Sequence, residues 1–366
     1  MSLKNFSAKL FFYFFLCLIS LLQLSGQLNG QTRKFIYKSN LTSEIFHYRT
    51  NFPVGNKITY VEGYLPKNFT RKGTVDYTVY IQQAFNSGGI VIMPNFPLLI
   101  NSKGLDIGSN RVIYFQKNSS LIMATNSLEN YYALRVADKN NVKIINPKLI
   151  GDRDGHKGNK GEWGMGISLM GATNVEIINP SISKFWGDGI YIGRGTKTFC
   201  EDVIIKGGSL DFNRRNGISV ISVKGLRIEN VLISNTFGTA PMAALDFEPN
   251  KEDEILQDIT VDGIKTFNNH SYEILFVFWK LKSKSSPIYL TIRNHQFDSI
   301  KQPITIYANY KGENKKIGGR ISYENSNWNN NNLVNFQEMF KKHNAVTLEI
   351  ENVRINNINK NVSFKP

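Results

Sequence analysis

One short phrase recurs along most of this chain: an apolar residue, a spacer, a second apolar residue, a second spacer, and then Asn or Gly. Alternating apolar residues predict a short strand with one buried face, and Asn or Gly tolerates the left-handed backbone of a tight turn. The eight copies are Val142/Ile144/Asn146, Val175/Ile177/Asn179, Val203/Ile205/Gly207, Leu226/Ile228/Asn230, Ile259/Val261/Gly263, Leu290/Ile292/Asn294, Ile321/Tyr323/Asn325 and Leu348/Ile350/Asn352. The chain is therefore predicted to be a solenoid of strands.

The spacing of these copies distinguishes two classes of solenoid. Leucine-rich repeats place their Asn later and keep a stricter period, whereas successive copies here lie 23 to 33 residues apart. A second series of alternating apolar pairs falls between the copies, at Ile167/Leu169, Ile190/Ile192, Ile218/Val220, Leu245/Phe247, Leu275/Val277 and Ile304/Ile306. Two strand series joined by turns of variable length indicate an all-β fold, a parallel β-helix, rather than leucine-rich repeats.

The N-terminus has the composition of a secretory signal. Residues 1–9 are polar and contain two lysines, and residues 10–24 are almost wholly apolar. A membrane anchor is the alternative, but this apolar run is short for a span of about 20 residues. We therefore expect a signal peptide over residues 1–30, a secreted or periplasmic protein, and no stable membrane span after the signal is removed.

The remainder divides into a lead-in and a long repeat region. Residues 31–75 show no strong periodicity and are predicted to be an N-terminal lead-in, and residues 76–366 are predicted to form the β-helix domain. Asp76 or Thr74 can cap a short helix that has Ile81 and Phe85 on one face. We expect this helix to close the open end of the solenoid.

The charge balance favours an anionic partner. The chain carries 44 Lys and Arg against 29 Asp and Glu, a formal net charge of +15. Such a balance suits an acidic polysaccharide or a nucleic acid, but the basic residues are spread along the chain without an arginine-rich run or a nucleic-acid motif. We expect an anionic polysaccharide and no nucleic acid, with an ordinary basic surface as the alternative.

Three segments resemble a known family. They are D-Y-T-V-Y-I-Q-Q-A-F-N-S-G-G-I-V-I-M-P (Asp76 to Pro94), L-D-I-G-S-N (Leu105 to Asn110) and N-V-K-I-I-N-P-K-L-I-G-D-R (Asn141 to Arg153). These resemble the pectate-lyase superfamily of right-handed parallel β-helices, and within it the rhamnogalacturonase/epimerase-like branch. The resemblance implies a carbohydrate-active protein, in a group that includes hydrolases, lyases, epimerases and phage spikes. The motif set of polygalacturonases is absent from the sequence.

The sharpest catalytic candidates are Asp246 and Glu248. Leu245 and Phe247 are expected to face the core, so the two carboxylates are expected to point outward together. Paired carboxylates allow one group to stay protonated as an acid while its neighbour stays ionised. The alternative is a solvated surface pair that forms salt bridges with nearby arginines.

Further candidates lie on neighbouring coils. Asp188 stands between two glycines and is a possible third catalytic carboxylate, or else the cap of its own turn. The candidate substrate-binding residues on these coils are Arg214, Arg215, Tyr191, Arg194, Trp163 and Trp186. The arginines suit anionic groups, and the tryptophans suit sugar rings or packing beneath a loop. Tyr272 and Glu273 are expected on the same outer face.

A glycine-rich insertion, Gly151 to Gly161, separates two of the coils. Arg153 is predicted to hold a sugar carboxylate, and His156 is predicted to contact substrate or act as an acid or base. The alternation of Asp152 and Asp154 leaves a calcium ion open, although the later Glu of an EF-hand is missing. No other cofactor and no dedicated metal site is expected. A structural long turn is the alternative to a substrate-contacting rim loop.

Three functions are consistent with these features. The first is a secreted enzyme that cleaves glycosidic bonds of an acidic polysaccharide by carboxylate acid/base catalysis. The second is a polysaccharide lyase or uronate epimerase, in which Arg214 or Arg215 would neutralise the sugar carboxylate and Tyr191, His156 or a lysine would shuttle the proton. The third is a non-catalytic carbohydrate-binding β-helix.

Overall fold

The computed structural model describes residues 45–55, 57–298, 303–308, 316–328, 346–355 and 358–364. All of these described residues belong to one compact unit. The predicted signal peptide over residues 1–30 lies outside the described residues. In the part of the chain that is described, no helix is long and apolar enough to span a membrane.

Most strands belong to one large sheet with two parallel rows. The first row contains Ile58–Tyr60, Gly89–Ile92, Arg111–Tyr114, Asn140–Ile145, Thr173–Ile178, Cys200–Lys206, Val223–Glu229, Leu256–Asp262, Ile288–Arg293, Gly319–Glu324 and Thr347–Ile355. The second row contains Pro97–Ile100, Ser120–Met123, Lys148–Ile150, Ser181–Ser183, Ser209–Asp211, Leu232–Ser234, Lys265–Phe267, Gln296–Asp298 and Asn327–Trp328. The last strand, Ile358–Phe364, pairs antiparallel with Thr347–Ile355.

A second sheet of eight described strands lies on another side of the coil. It contains Leu105–Asp106, Asn130–Ala137, Trp163–Met170, Ile190–Gly193, Ile218–Val220, Ala243–Phe247, Tyr272–Val277 and Ile304–Tyr307. Every pairing between neighbouring strands of this eight-stranded sheet is parallel. The predicted parallel β-helix is thereby confirmed.

The repeated apolar phrase forms one continuous stack. Its central residues pair in register from coil to coil as Ile144, Ile177, Ile205, Ile228, Val261, Ile292, Tyr323 and Ile350. All eight are at most 1% exposed. Because one coil alone cannot bury its apolar face, the stacking of successive coils supplies the core.

The Asn or Gly that ends each phrase adopts the predicted left-handed backbone. All eight have φ between 47° and 66°. Where two successive coils both have Asn at this position, their side chains form a hydrogen bond. Asn179 Nδ2, for example, donates to Asn146 Oδ1 at 2.9 Å. Asn179 also holds the lead-in, because its Oδ1 accepts the Tyr48 N–H at 2.7 Å and its Nδ2 donates to the Tyr48 carbonyl.

The helices in the described part of the chain are few and short. One α-helix spans Thr78–Ser87, and 3₁₀ turns span Val61–Tyr64 and Arg153–Gly155. Asp76 Oδ1 accepts the first-turn N–H of Thr78 at 2.9 Å. Ile81 and Phe85 are buried in the core, as predicted. The position of residue 76 as a domain boundary stays a prediction, since Ile58–Tyr60 of the lead-in already pairs with Gly89–Ile92.

Candidate active site

The outward-facing residues of the eight-stranded sheet form an aligned row, and some of the candidate residues belong to it. Reading from coil to coil, the aligned residues are Asp106, Arg135, Ser168, Tyr191, Ser219, Asp246, Leu275 and Thr305. The alternation around Leu245 and Phe247 therefore places Asp246 on the outer face of the sheet. Tyr191, Ser219 and Asp246 lie on three successive coils.

Arg215 is the centre of a carboxylate cluster. Its Nη1 lies 3.1 Å from Asp188 Oδ2, and its Nη2 lies 3.1 Å from Glu248 Oε2. Asp246 Oδ2 is 3.9 Å from Nη2, and Glu162 Oε2 is 3.6 Å from Nε. One guanidinium thus faces four carboxyl groups, which we call the Arg215 cluster. The four carboxylates raise the pKa of Arg215, although burial alone would lower it.

The four carboxyl groups differ sharply in exposure. The side chains of Asp188 and Asp246 are 0% exposed. The Glu248 side chain is 25% exposed and the Glu162 side chain 36%. A polymer on the outer face can therefore touch the two glutamates, while the two aspartates are out of its reach.

Asp246 and Glu248 interact through their charges. Burial raises the pKa of Asp246 well above its usual value, and the neighbouring charge of Glu248 raises it further. Asp246 Oδ2 accepts from Asn216 Nδ2, whereas its Oδ1 is buried without a hydrogen-bond partner.

Asn216 positions both aspartates from the turn before the strand Ile218–Val220. Its backbone N–H donates to Asp188 Oδ1 at 3.1 Å, and its Nδ2 donates to Asp246 Oδ2 at 2.9 Å. Asp188 therefore accepts from the next coil, whereas the alternative prediction had it capping its own turn. Burial raises the pKa of Asp188, and the charge of Arg215 opposes that rise.

Tyr191 and Arg194 lie at the edge of the cluster. Burial raises the pKa of Tyr191 to about 12, and the charges of Glu254 and Asp188 add to the shift. Arg194 is turned to another loop, where its Nη1 lies 3.2 Å from Asp253 Oδ1 and 3.5 Å from Glu254 Oε1. The structure therefore brings Tyr191 near the Arg215 cluster and places Arg194 in a separate ion pair.

Arg214 belongs to an aromatic stack beside the cluster. Its guanidinium carbon lies 3.9 Å from the ring centre of Trp186, and the Trp186 ring stacks on His156 at 4.0 Å between centroids. Burial lowers the pKa of Arg214. Trp186 and His156, both predicted to contact substrate, thus stack against each other. Trp163, next to Glu162 in the chain, is 45% exposed.

The glycine-rich insertion is anchored by internal contacts. His156 Nδ1 lies 2.8 Å from Asp152 Oδ2, and both side chains are 0% exposed. The Asp152 carboxylate also accepts from Tyr131. Arg153 Nη1 donates to the Phe212 carbonyl at 2.5 Å, and Arg153 lies over the Phe237 ring. Arg153 therefore contacts Phe212 and Phe237 rather than the Arg215 cluster. Among the described residues, no group of three or more His, Cys, Asp and Glu side chains is arranged to hold a metal ion.

Three features of the site differ from the sequence predictions. In the strand Tyr272–Val277 the core residues that pair with Leu245 and Phe247 are Ile274 and Phe276, so the predicted core pair Leu275/Val277 was wrong by one residue. Glu273, the second residue of this strand, is fully buried and accepts from Asn269 Nδ2 at 2.8 Å, so it is not exposed to a substrate. Glu162 was not identified from the sequence, although it lies in the G-E-W-G run at a strand start.

Comparisons with known proteins support the fold. The family model described as "Right handed beta helix region" matches residues 84–246. Open reading frame 18 of Geobacillus virus E2 superimposes with a TM-score of 0.55 at 13% identity, covering 84% of this chain and 63% of that one. Tailspike protein gp49 of Acinetobacter baumannii bacteriophage Fri1, a capsular polysaccharide depolymerase, gives 0.53 at 13% identity and covers 85% and 65%.

A curated relative is similar in sequence. Uncharacterized protein YclG of Bacillus subtilis is 28% identical over 205 residues, which is 52% of this chain. The chain spans 32% and 35% of the lengths of the two curated relatives that it matches. Together with the strand register, the comparisons confirm the right-handed parallel β-helix. The assignment to the rhamnogalacturonase/epimerase-like branch stays a prediction.

Proposed function

We propose that this right-handed β-helix protein is a secreted glycoside hydrolase that cleaves an acidic polysaccharide, with Glu248 as the proton donor. The observation that carries the proposal is the pairing of a solvent-reaching carboxyl group with a fully buried one. The Glu248 side chain is 25% exposed, and the neighbouring Asp246 is fully buried and has a raised pKa. A general acid must carry a proton at the working pH and must also reach the substrate. Glu248 meets the second requirement through its exposure, and the buried Asp246 next to it supports the first.

The roles of the cluster follow from its geometry. Glu248 gives its proton to the oxygen of the departing sugar as the glycosidic bond breaks. Asp246, whose pKa is raised by burial and by the charge of Glu248, holds a proton next to Glu248 at a pH where an exposed carboxyl group would have lost it. Arg215 orients Glu248 through the 3.1 Å contact and limits the repulsion among the four carboxylates.

The alternative of elimination or epimerisation fits this site less well. Abstraction of a sugar C5 proton needs a base and a free cation for the sugar carboxylate. Tyr191 has a pKa raised to about 12, which keeps it protonated near neutral pH. Arg215 faces four protein carboxylates, and Arg214 donates to the carbonyls of Gly161 and Trp186.

The substrate class rests on the charge of the whole chain. A net charge of +15 draws an anionic polymer toward the surface, while the Arg215 cluster repels a negative group at the cleaved bond. We infer that the anionic groups of the substrate lie away from that bond. Trp163, exposed beside Glu162, offers a ring face for a sugar,. A tailspike protein of similar fold is itself a capsular polysaccharide depolymerase, which supports the class of substrate.

Replacing Glu248 by Gln tests the proposal. The variant keeps the shape of the side chain but cannot deliver a proton, so we expect turnover to fall by about 100- to 10,000-fold. Folding and substrate binding should be nearly unchanged, because Glu248 is partly exposed and Arg215 keeps its contact with Asp188. The assay follows new reducing ends and unsaturated products on a panel of polyuronates and sulfated glycans.

The matched control is Glu201→Gln, which removes a surface carboxylate paired with Lys197 on the large sheet. This control should cleave at the wild-type rate. Full activity of the Glu248→Gln variant would remove Glu248 from the site. A wild-type protein that binds but does not cleave any glycan of the panel would instead support the non-catalytic carbohydrate-binding function.

A further inference from the structure

Glu162 is the second carboxylate of the Arg215 cluster that reaches solvent. Its side chain is 36% exposed, and its Oε2 lies 3.6 Å from Arg215 Nε. Glu248 contacts a different nitrogen of the same guanidinium, Nη2. Asp188 and Asp246 are fully covered. The two glutamates are thus the carboxyl groups of the cluster that a bound sugar and a water molecule can reach together.

The backbone around Glu162 is held by the next two coils. Arg214 Nη1 donates to the carbonyl of Gly161 at 2.6 Å, and Trp186 Nε1 donates to the carbonyl of Lys160 at 2.9 Å. Gly187 permits a close approach, since a Cβ there would lie 2.3 Å from the Glu162 carbonyl oxygen. These contacts fix the segment directly before Glu162 without using its carboxylate.

The other end of the insertion is fixed as well. Asp152 is 5% exposed and accepts from Asn126 Nδ2 at 2.8 Å, from Tyr131 and from His156. His156 in turn stacks on Trp186, the same residue that binds Lys160. Because the loop is anchored at both ends, Glu162 is presented in a defined position, as a group that takes part in chemistry must be.

We propose that Glu162 is the second catalytic carboxylate of this site and acts as the general base; the inference rests on the hydrolase function proposed above. Glu162 takes a proton from a water molecule while the water oxygen bonds to the anomeric carbon. The bond from that carbon to the departing oxygen breaks, and this oxygen receives the proton of Glu248. One proton is gained by Glu162 and one is lost by Glu248, and both groups return to their starting states by exchange with solvent.

The two glutamates have different neighbours. Glu162 lies 3.6 Å from Arg215 Nε and also interacts with the charge of Arg214. Glu248 lies next to the buried Asp246, whose pKa is raised by burial and by the charge of Glu248. Two carboxyl groups in different surroundings can act as base and acid of one reaction.

The test compares Glu162→Gln with the matched control Glu129→Gln. Glu129 is exposed and occupies the equivalent position one coil earlier, since Asn130 and Trp163 pair in register. We expect kcat of the Glu162→Gln variant to fall by about 100- to 10,000-fold, as for loss of a general base, with KM changed by less than about threefold. The control should behave as wild type. Added formate, a small carboxylate, should restore part of the turnover of the Glu162→Gln variant.

Each other outcome counts against a different claim. If Glu162→Gln cleaves at nearly the wild-type rate while Glu248→Gln is inactive, Glu162 is not the base and the proposed hydrolase function stands. If formate restores nothing and the melting temperature of the variant falls, Glu162 has a structural role and the inference is wrong. If both variants cleave as well as wild type, the hydrolase function at this site fails as well.

Discussion

Asp246 shows how one buried carboxyl group can serve function at a cost in stability. It has no exposure, and its pKa is raised first by burial and then by the charge of Glu248. A raised pKa means that the folded protein binds this proton more tightly than the unfolded chain does. The contribution of Asp246 to stability is therefore fully present below its ordinary pKa and is lost as the pH rises toward the folded-state value.

This linkage predicts the behaviour of Asp246→Asn. Asn is uncharged at every pH, and it can still accept from Asn216 Nδ2 as Asp246 does. We expect the variant to be more stable than wild type by about 0.5–2 kcal/mol near pH 8, as is common when a strained functional group is removed, and to gain less near pH 4. Its cleavage rate should fall at the same time.

Thermal unfolding at both pH values checks this prediction. Asp188, which also has a raised pKa, is present in both proteins, so its contribution cancels to first order in the comparison. A stability difference that does not change between pH 4 and pH 8 would show that Asp246 does not hold a proton in the folded protein.

At the scale of the element, the turn Trp186 to Gly189 connects the site to the insertion. Gly187 N–H donates to the Gly164 carbonyl at 2.7 Å, and the same turn carries both Trp186 and Asp188. A Cβ at position 187 would also lie 2.8 Å from the Gly164 backbone nitrogen. The strand start that carries Glu162 and the turn that carries Asp188 are therefore packed backbone to backbone.

Gly187→Ala is predicted to damage both stability and activity. The obstructing atoms are backbone, so the turn must shift, and overpacking of this kind costs about 1–3 kcal/mol. A displacement of about 1 Å at the catalytic groups lowers turnover by about 100-fold. The control is Gly63→Ala, where a Cβ would meet nothing within 4 Å. Unfolding and cleavage of the two variants are compared, and equal behaviour would contradict the packing argument.

The elements also show what sequence patterns can and cannot predict. The two-residue period placed Asp246 outward correctly, and Asn or Gly at the end of each phrase predicted the left-handed turns at Asn146 and Asn179. The same period could not show that Asp246 is covered, because the covering groups come from turns. Arg215 and Asn216 lie in such a turn, where no periodicity fixes the direction of a side chain.

Glu162 is a site residue that the sequence patterns did not identify. It lies just outside the strand Trp163–Met170, at the end of an insertion whose path depends on the contacts of His156, Trp186 and Arg214. These contacts join three coils that are far apart in sequence. Only the three-dimensional register shows that Glu162 and Glu248 face the same guanidinium.

At the scale of the whole molecule, the stacked coils form an extended surface. The positive net charge of the chain favours binding of an anionic polysaccharide to this surface,. The paired strands place equivalent side chains of successive coils about 4.8 Å apart, so a polymer lying along the eight-stranded sheet would meet several coils at once. The net charge of +15 favours an anionic polymer over this surface. We propose that the bond is cleaved at the Arg215 cluster.

The central claim is that the protein breaks glycosidic bonds by adding water. The most direct measurement is mass spectrometry of the products formed from an acidic polysaccharide in water labelled with a heavy oxygen isotope. We expect each cleavage to add one water molecule and one heavy oxygen atom, and we expect no unsaturated sugar. Products that contain an unsaturated sugar and no added oxygen would show that the bonds are broken by elimination.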